Sequence, residues 1–276
     1  MLLKNVTKCM EKIAPLKLAE AAWDNVGLLI EAPFPRPATN TVFLTIDLTA
    51  PVLEEALKDP KVGVIVSYHP PLFSKFRRLT LSDDKQAIAL RCAASGVSVF
   101  APHTSLDNCL NGINDWLASG IGEGKTEVLN RIDNPPAGQE GAGSGRVHTL
   151  AEPVQLHELA TRVKRHLGLQ HVRLATAPAH AAQGTTVRTV GICAGSGSSI
   201  LGGTTSDVFF TGEMSHHDVL AALANNTSVI LCEHTNTERG YLSQILQPRL
   251  QALLREADET ATVICSKIDK DPLDIV

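Results

Sequence analysis

Val97-Ser98-Val99-Phe100-Ala101-Pro102-His103-Thr104-Ser105-Leu106-Asp107 and Val229-Ile230-Leu231-Cys232-Glu233-His234-Thr235-Asn236-Thr237-Glu238 are the two stretches that decide the fold. Each is a short β-like apolar run that ends in His-Thr, with a carboxylate four residues beyond the histidine. A strand end that delivers an imidazole and a carboxylate together is a way for an α/β protein to hold a metal. One His-x-x-x-Asp/Glu carries little information. Two of them, each closing an apolar run, suggest one site built from two halves.

Upstream of the first stretch, Val42 to Ile46 reads as a strand, and Thr49 can cap a helix from Pro51 to Leu57. Val62 to Val66 is too short and too β-branched for a helix, and it runs into Ser67-Tyr68-His69-Pro70-Pro71. A helix from Lys85 to Ser95, stopped by Gly96, leads into the strand before His103. Upstream of the second stretch the order recurs: a helix from Gln155 to Leu167, a loop from Ala177 to Thr185, a strand Val187 to Cys193, a strand Asp207 to Phe210, then a helix reaching Ala224. This alternation predicts sheets with parallel pairs and covering helices. The N-terminal stretch places Val6, Met10, Ile13 and Leu16 on one face of an amphipathic helix.

The repeated order reads as an internal duplication, with one residue of difference in spacing before the histidine. The fold class is therefore α/β, with two related α/β lobes, residues 1–133 and 146–276. The Pro-, Gly- and Ala-rich stretch 134–145 is an exposed loop or linker between them, and the lobes can intertwine.

In open α/β sheets ligands collect beyond the carboxyl ends of strands. The polar clusters expected there are Tyr68-His69, His103 to Asp107, Glu213 to His217, and His234 to Glu238. If a helix begins at His234, it and Glu238 project from one face and can touch one ion. Asp107 and Glu238 can bridge two ions. Each piece has a plainer alternative. His69 before two prolines fits a strand ending at a turn, and Asp107 before Asn108 fits a helix cap. His216 and His217 fit a solvent-facing helix start, and Glu238 can pair with Arg239. The loop Gly195-Ser196-Gly197-Ser198-Ser199 fits a tight turn better than a phosphate cradle, because it is not a G-x-G-x-x-G fingerprint and no Walker lysine follows.

The 276 residues suffice for two lobes with cores, and 43% hydrophobic with 20% charged residues is ordinary for a globular chain. With a net charge of -4 nothing in the bulk electrostatics points to nucleic acid as a direct partner, a local basic patch stays open, and no apolar run is long enough to span a membrane. The six cysteines form no C-x-x-C pair and read as buried thiols in a reducing compartment. Lys4, Lys8, Lys12 and Lys17 raise the question of a mitochondrial leader, and Glu11 and Glu20 argue against it. Cytoplasmic residence is the expectation, with nuclear residence as a further one.

Trp23-Asp24-Asn25-Val26-Gly27-Leu28-Leu29, Ser67-Tyr68-His69-Pro70-Pro71, Pro102-His103-Thr104, Gly212-Glu213-Met214-Ser215-His216-His217, Glu233-His234-Thr235-Asn236-Thr237-Glu238-Arg239-Gly240 and the tail Asp271-Pro272-Leu273 resemble, in this order, the NIF-three-like family. The chain looks like a compact eukaryotic-type member without the inserted middle domain. The resemblance implies two α/β lobes with a dinuclear metal site in the cleft between them, and ring-like homo-oligomers, often hexamers. Carried over by motif, the metal ligands fall on His69, Asp107, His234 and Glu238. His103 and His217 would line the cleft as supporting or proton-transfer groups. The implied cofactor is one or two divalent ions per chain, zinc, iron, manganese or nickel. The bacterial pattern has two adjacent histidines where this chain has Tyr68-His69, and a phenol must lose a proton with a pKa near 10 to bind a metal well. One metal position is therefore expected to be weak or empty. The expected activity is metal-dependent hydrolysis of a nucleotide-like or other small metabolite by activated water. The family's GTP cyclohydrolase label has little support in these residues. The alternative is a non-catalytic interaction scaffold associated with transcriptional regulators, with a partial metal site.

Overall fold

The computed structural model describes residues 1–274. The chain divides into two compact units, one formed by Met1–Leu106 with Tyr241–Lys270, the other by Asp107–Gly240 with the chain from Asp271. Each has a mixed sheet, so the α/β class holds.

In the first unit, β1 (Gly27–Ile30), β2 (Thr41–Thr45), β3 (Val62–Ser67) and β4 (Ser98–Ala101) lie in the order β1-β4-β3-β2. β2, β3 and β4 are parallel, and β1 pairs antiparallel with β4. The parallel strands carry nearly continuous apolar runs because both faces are covered. Phe43, Ile65 and Val99 pack there with Val52, Leu53 and Ala56 of the helix Ala50–Lys58 and with Ile88 and Cys92 of the helix Asp84–Ala94. The capping signals act as expected. Thr49 accepts from the Val52 N–H, and Gly96, just past the second helix, has φ +70. The first helix, Leu2–Ile13, buries Val6, Cys9, Met10 and Ile13. Leu16 falls in a separate short turn, so the amphipathic face ends one turn earlier than its spacing suggests.

The second unit contains β5 (Gly124–Arg131), β6 (Gly143–Val154), β7 (Arg173–Ala175), β8 (Val187–Ser196), β9 (Val208–Glu213) and β10 (Ser228–Leu231), in the order β5-β6-β8-β9-β10-β7. β8, β9 and β10 are parallel, and β7 pairs antiparallel with β10. Its core gathers Cys193, Leu201, Phe209, Ala222, Val229 and Leu231. β5 and β6 form an antiparallel hairpin, with Asn130 opposite Ser144 and Arg131 opposite Gly143. The stretch expected as an exposed loop or linker, 134–145, is the loop of a hairpin and the start of its second strand, and the chain divides into units at Leu106–Asp107. Pro and Gly mark any exposed reversal of the chain, so composition alone does not separate a hairpin turn from a linker. The last strand, β11 (Thr262–Cys265), returns to the first unit and pairs parallel with β2.

The two sheets share a four-strand arrangement. In each, three parallel strands follow in sequence, and an earlier strand lies antiparallel against the third of them. That third strand is β4, before His103, in one sheet and β10, before His234, in the other.

Candidate metal centre

In the first unit the β3 end continues its pairing for two residues: Tyr68 N–H donates to Thr45 O (2.9 Å) and His69 N–H to Ile46 O (3.0 Å). His69 is thereby set beside Asp47, the residue after the β2 pairing, and His69 Nδ1 lies 2.9 Å from Asp47 Oδ1. A carboxylate only accepts, so Nδ1 carries a proton, and Nε2 is the ring nitrogen that would ligate an ion. His103 follows β4 with φ +32, a conformation that turns the chain sharply into the helix Thr104–Asn108. Its Nδ1 lies 2.7 Å from Oδ1 of Asp24, whose side chain is wholly buried. Asp24 also accepts from Thr104 N (3.2 Å) and Thr104 Oγ1 (2.5 Å). Burial alone would raise the Asp24 pKa, but the hydrogen bonds from His103 and Thr104 outweigh it and hold the carboxyl below its ordinary range. Tyr68 is buried, its ring 5.5 Å from that of His103 and nearly perpendicular to it.

In the second unit β10 is followed by Cys232, Glu233 takes φ +64, and His234 opens the turn Thr235–Thr237. His234 Nδ1 lies 2.8 Å from Glu213 Oε1, which comes from the end of the neighbouring β9. The other face of the same ring places Nε2 3.5 Å from Glu238 Oε1. The Glu238 side chain is only 2% exposed. The i, i+4 pair thus converges although the segment is a short turn and not a regular helix. Gly195, at the end of β8, has φ +62, and a Cβ placed on it would lie 2.8 Å from both Glu238 Oε1 and His234 Nε2. Its N–H donates to Thr237 Oγ1 (2.8 Å) and its carbonyl accepts from Thr211 Oγ1 (3.1 Å). The Gly195 amide is thus taken up within the unit, and the missing Cβ lets the imidazole and carboxylate approach the backbone. Thr235 Oγ1 in turn donates to Asp271 of the Asp-Pro-Leu tail (2.8 Å).

A family model described as Duf34/NIF3 (NGG1p interacting factor 3) matches residues 1–272. The chain belongs to the NIF3 family. It is 43% identical to "Protein NIF3 homolog" of Schizosaccharomyces pombe, over 96% of this chain and 95% of that one. It is 35% identical to "NGG1-interacting factor 3" of Saccharomyces cerevisiae, over 99% and 96% of the two chains. Among solved structures, a Bacillus cereus protein related to NIF3 shares the NIF3 fold, with a TM-score of 0.81 at 19% identity, covering 99% of this chain and 98% of that one.

In this NIF3 family member the second unit brings His234 and Glu238 together as a group of donors that could help hold a metal ion, and His69 of the first unit is a donor of the same kind. The donor chemistry fits a divalent cation: each imidazole has its Nδ1 engaged by a carboxylate, and the Glu238 carboxylate is buried. Asp107, the other expected ligand, is not in that group. It does share surroundings with Glu238. Burial first, and then the Asp107 and Glu238 carboxylates, push the Cys193 thiol pKa up. His217 sits in the first turn of the helix His216–Ala224, exposed, its ring 5.5 Å from that of His216. The supporting acids Asp24, Asp47 and Glu213 were not singled out as partners from sequence. The available signal was that each is an acid at a strand end or in a motif already noted.

Proposed function

We propose that this NIF3 protein is a metal-dependent hydrolase acting on a nucleotide-like or other small metabolite, with His69, Asp107, His234 and Glu238 as the ligands of one or two divalent ions. The observation that carries the reading is the carboxylate on Nδ1 of both His69 and His234, which holds each ring by one nitrogen and makes Nε2 the atom to ligate an ion. Bound there, zinc, iron, manganese or nickel would act as a Lewis acid and make water a better nucleophile near neutral pH. The chain's own groups orient the ligands, exclude water from the Glu238 side and move protons. His103, backed by buried Asp24, is the group to accept or return a proton at Nε2, and His217 is a second one. Tyr68 in place of a histidine makes the second ion the weaker one. The shared four-strand arrangement supports reading the units as duplicated lobes. A homo-oligomer, a hexamer by family resemblance, and residence in the cytoplasm and nucleus complete the proposal; no helix among the described residues is long and apolar enough to cross a membrane.

The test is metal analysis of the purified protein alongside hydrolysis of a nucleotide panel. His69→Ala and His234→Ala should lose bound metal and turnover together, and the chelated wild type should regain both with one of the four ions. Turnover that survives removal of all metal would overturn the reading. A second reading follows from names: the yeast relative is called NGG1-interacting factor 3. On that reading the chain is an interaction scaffold for transcription-related partners with a partial metal site. Such a scaffold would keep its partner after loss of the metal ligands.

A further inference from the structure

Beside His103 the first unit displays aromatic surface that its own fold does not use. Trp23 is 54% and Phe73 50% exposed. Their ring centroids are 6.2 Å apart with the planes tilted by 59°. Both rings stand edge-on to the His103 imidazole, at 5.9 Å and 82° for Trp23 and at 6.4 Å and 85° for Phe73. Three rings thus meet at one corner, and two of them turn half their surface to solvent. Leaving large aromatics half exposed forgoes the burial that makes them favourable in a core.

The segment that carries Phe73 adds charge. Lys75, Arg77 and Arg78 are exposed, and residues 71–82 contain no acid. None of the three cations has an ion-pair partner among the described residues. An exposed Phe73 face, joined by Trp23 and carried on a segment that also displays cations, matches a ligand with a planar ring at one end and an anion at the other. The rings are too close and too tilted to sandwich a guest, so it would stack on their open faces.

We infer that Trp23 and Phe73 are a stacking platform for the base of a nucleotide, with Lys75, Arg77 and Arg78 receiving its phosphates. This deepens the proposed function by naming the substrate class, and it rests on that reading in taking His103 as a group of the reacting centre. A mononucleotide is favoured over a nucleic-acid strand for two reasons. The platform is one pair of rings, not a row, and the whole chain has a net charge of -4, which repels a polyanion away from this segment.

Tryptophan fluorescence reads the proposal directly. The other tryptophan, Trp116, is buried at 6% exposure, so a Trp116→Phe background isolates Trp23. AMP, GMP and GTP titrated into the chelated protein should quench Trp23 to saturation, while ribose 5-phosphate and inorganic phosphate should not. By calorimetry Trp23→Ala or Phe73→Ala should weaken nucleotide binding on the order of tenfold to a hundredfold. Replacing Lys75, Arg77 and Arg78 together by Glu should weaken GTP binding more than guanosine binding. Because the protein is chelated, failure here is separate from failure of the metal reading, which metal analysis of the same preparation decides. Three results would overturn the inference: no saturable quenching by any nucleotide, ribose 5-phosphate binding as tightly as AMP, or a single-stranded oligonucleotide binding far more tightly with a steep salt dependence. A change of oligomeric state in Trp23→Ala, read by light scattering, would also overturn it, because a second copy of the chain would then cover the patch.

Discussion

Gly195→Ala isolates the geometry of the candidate metal centre from its chemistry, since it removes no ligand. The new methyl carbon would lie 2.8 Å from Glu238 Oε1 and 2.8 Å from His234 Nε2. An unstrained carbon–oxygen approach is about 3.3–3.6 Å, so one or both groups must retreat by roughly 0.5–0.8 Å. Metal–ligand distances tolerate only about 0.2 Å. His234 is also held at Nδ1 by Glu213 (2.8 Å) and Glu238 is buried, so neither can retreat without losing a partner or moving its strand end. A further cost is conformational. Gly195 has φ +62, and a Cβ there costs about 1–2 kcal/mol. The expected result is a loss of metal affinity on the order of a hundredfold, the upper end of what loss of an orienting group does. It should come with a fall in stability of about 1–2 kcal/mol in the metal-free protein. Competition with a chelator of known affinity reads the first, and urea denaturation of stripped protein reads the second. A Gly195→Ala protein that binds metal as tightly as wild type, at unchanged stability, would refute the placement of His234 and Glu238 as ligands.

Asp47→Asn and Glu213→Gln should each lower metal affinity by about 10–100-fold, measured by the same competition, with little effect on urea midpoints because both acids are partly exposed. Tyr68→His should raise the metal stoichiometry retained after dialysis; two ions held equally by wild type, and no change in the variant, would show that the phenol is not the weak point. For Asp207, burial raises the pKa, but hydrogen bonds from the Thr189 and Arg188 N–H groups outweigh it and leave the folded value depressed. Its stabilisation is therefore complete above the ordinary carboxylate pKa of about 3.9 and lost as pH falls through the lower folded value. Asp207→Asn should flatten the acid limb of stability measured below about pH 4. Burial pushes the Cys92 thiol up to about 12, so native protein should resist iodoacetamide there at pH 8 while the urea-unfolded chain reacts, as counted by mass spectrometry.

The parallel strands were legible because each is a β-branched run bounded by turn residues. Val62–Ser67 and Ser228–Leu231 lie within a residue or two of where their patterns place them. The antiparallel edges were not. Gly27–Ile30 and Arg173–Ala175 are short, and their burial patterns show no strict alternation, so periodicity has nothing to detect. The strand Gly124–Arg131 is mostly exposed and polar, and only its pairing with Gly143–Val154 makes it a strand. At the site the histidines stood out because imidazole at a strand end is uncommon. Their carboxylate partners are distant in sequence, Asp24 from His103 and Asp47 from His69, and such pairings exist only once the sheet is folded.

The pairing of β11 with β2 sets a schedule for the ribosome. Thr41 meets Thr262, so the outer edge of β2 has no partner until the chain has been synthesised past Thr262. At about 5–20 residues per second, the roughly 220 intervening residues take about 10–45 s. Through that interval β2, whose five residues are all buried in the finished protein, is an open apolar edge on the nascent chain. The stretch Asp107–Gly240 is complete before β11 emerges and can fold first, which leaves the N-terminal sheet as the part most in need of chaperone cover during translation.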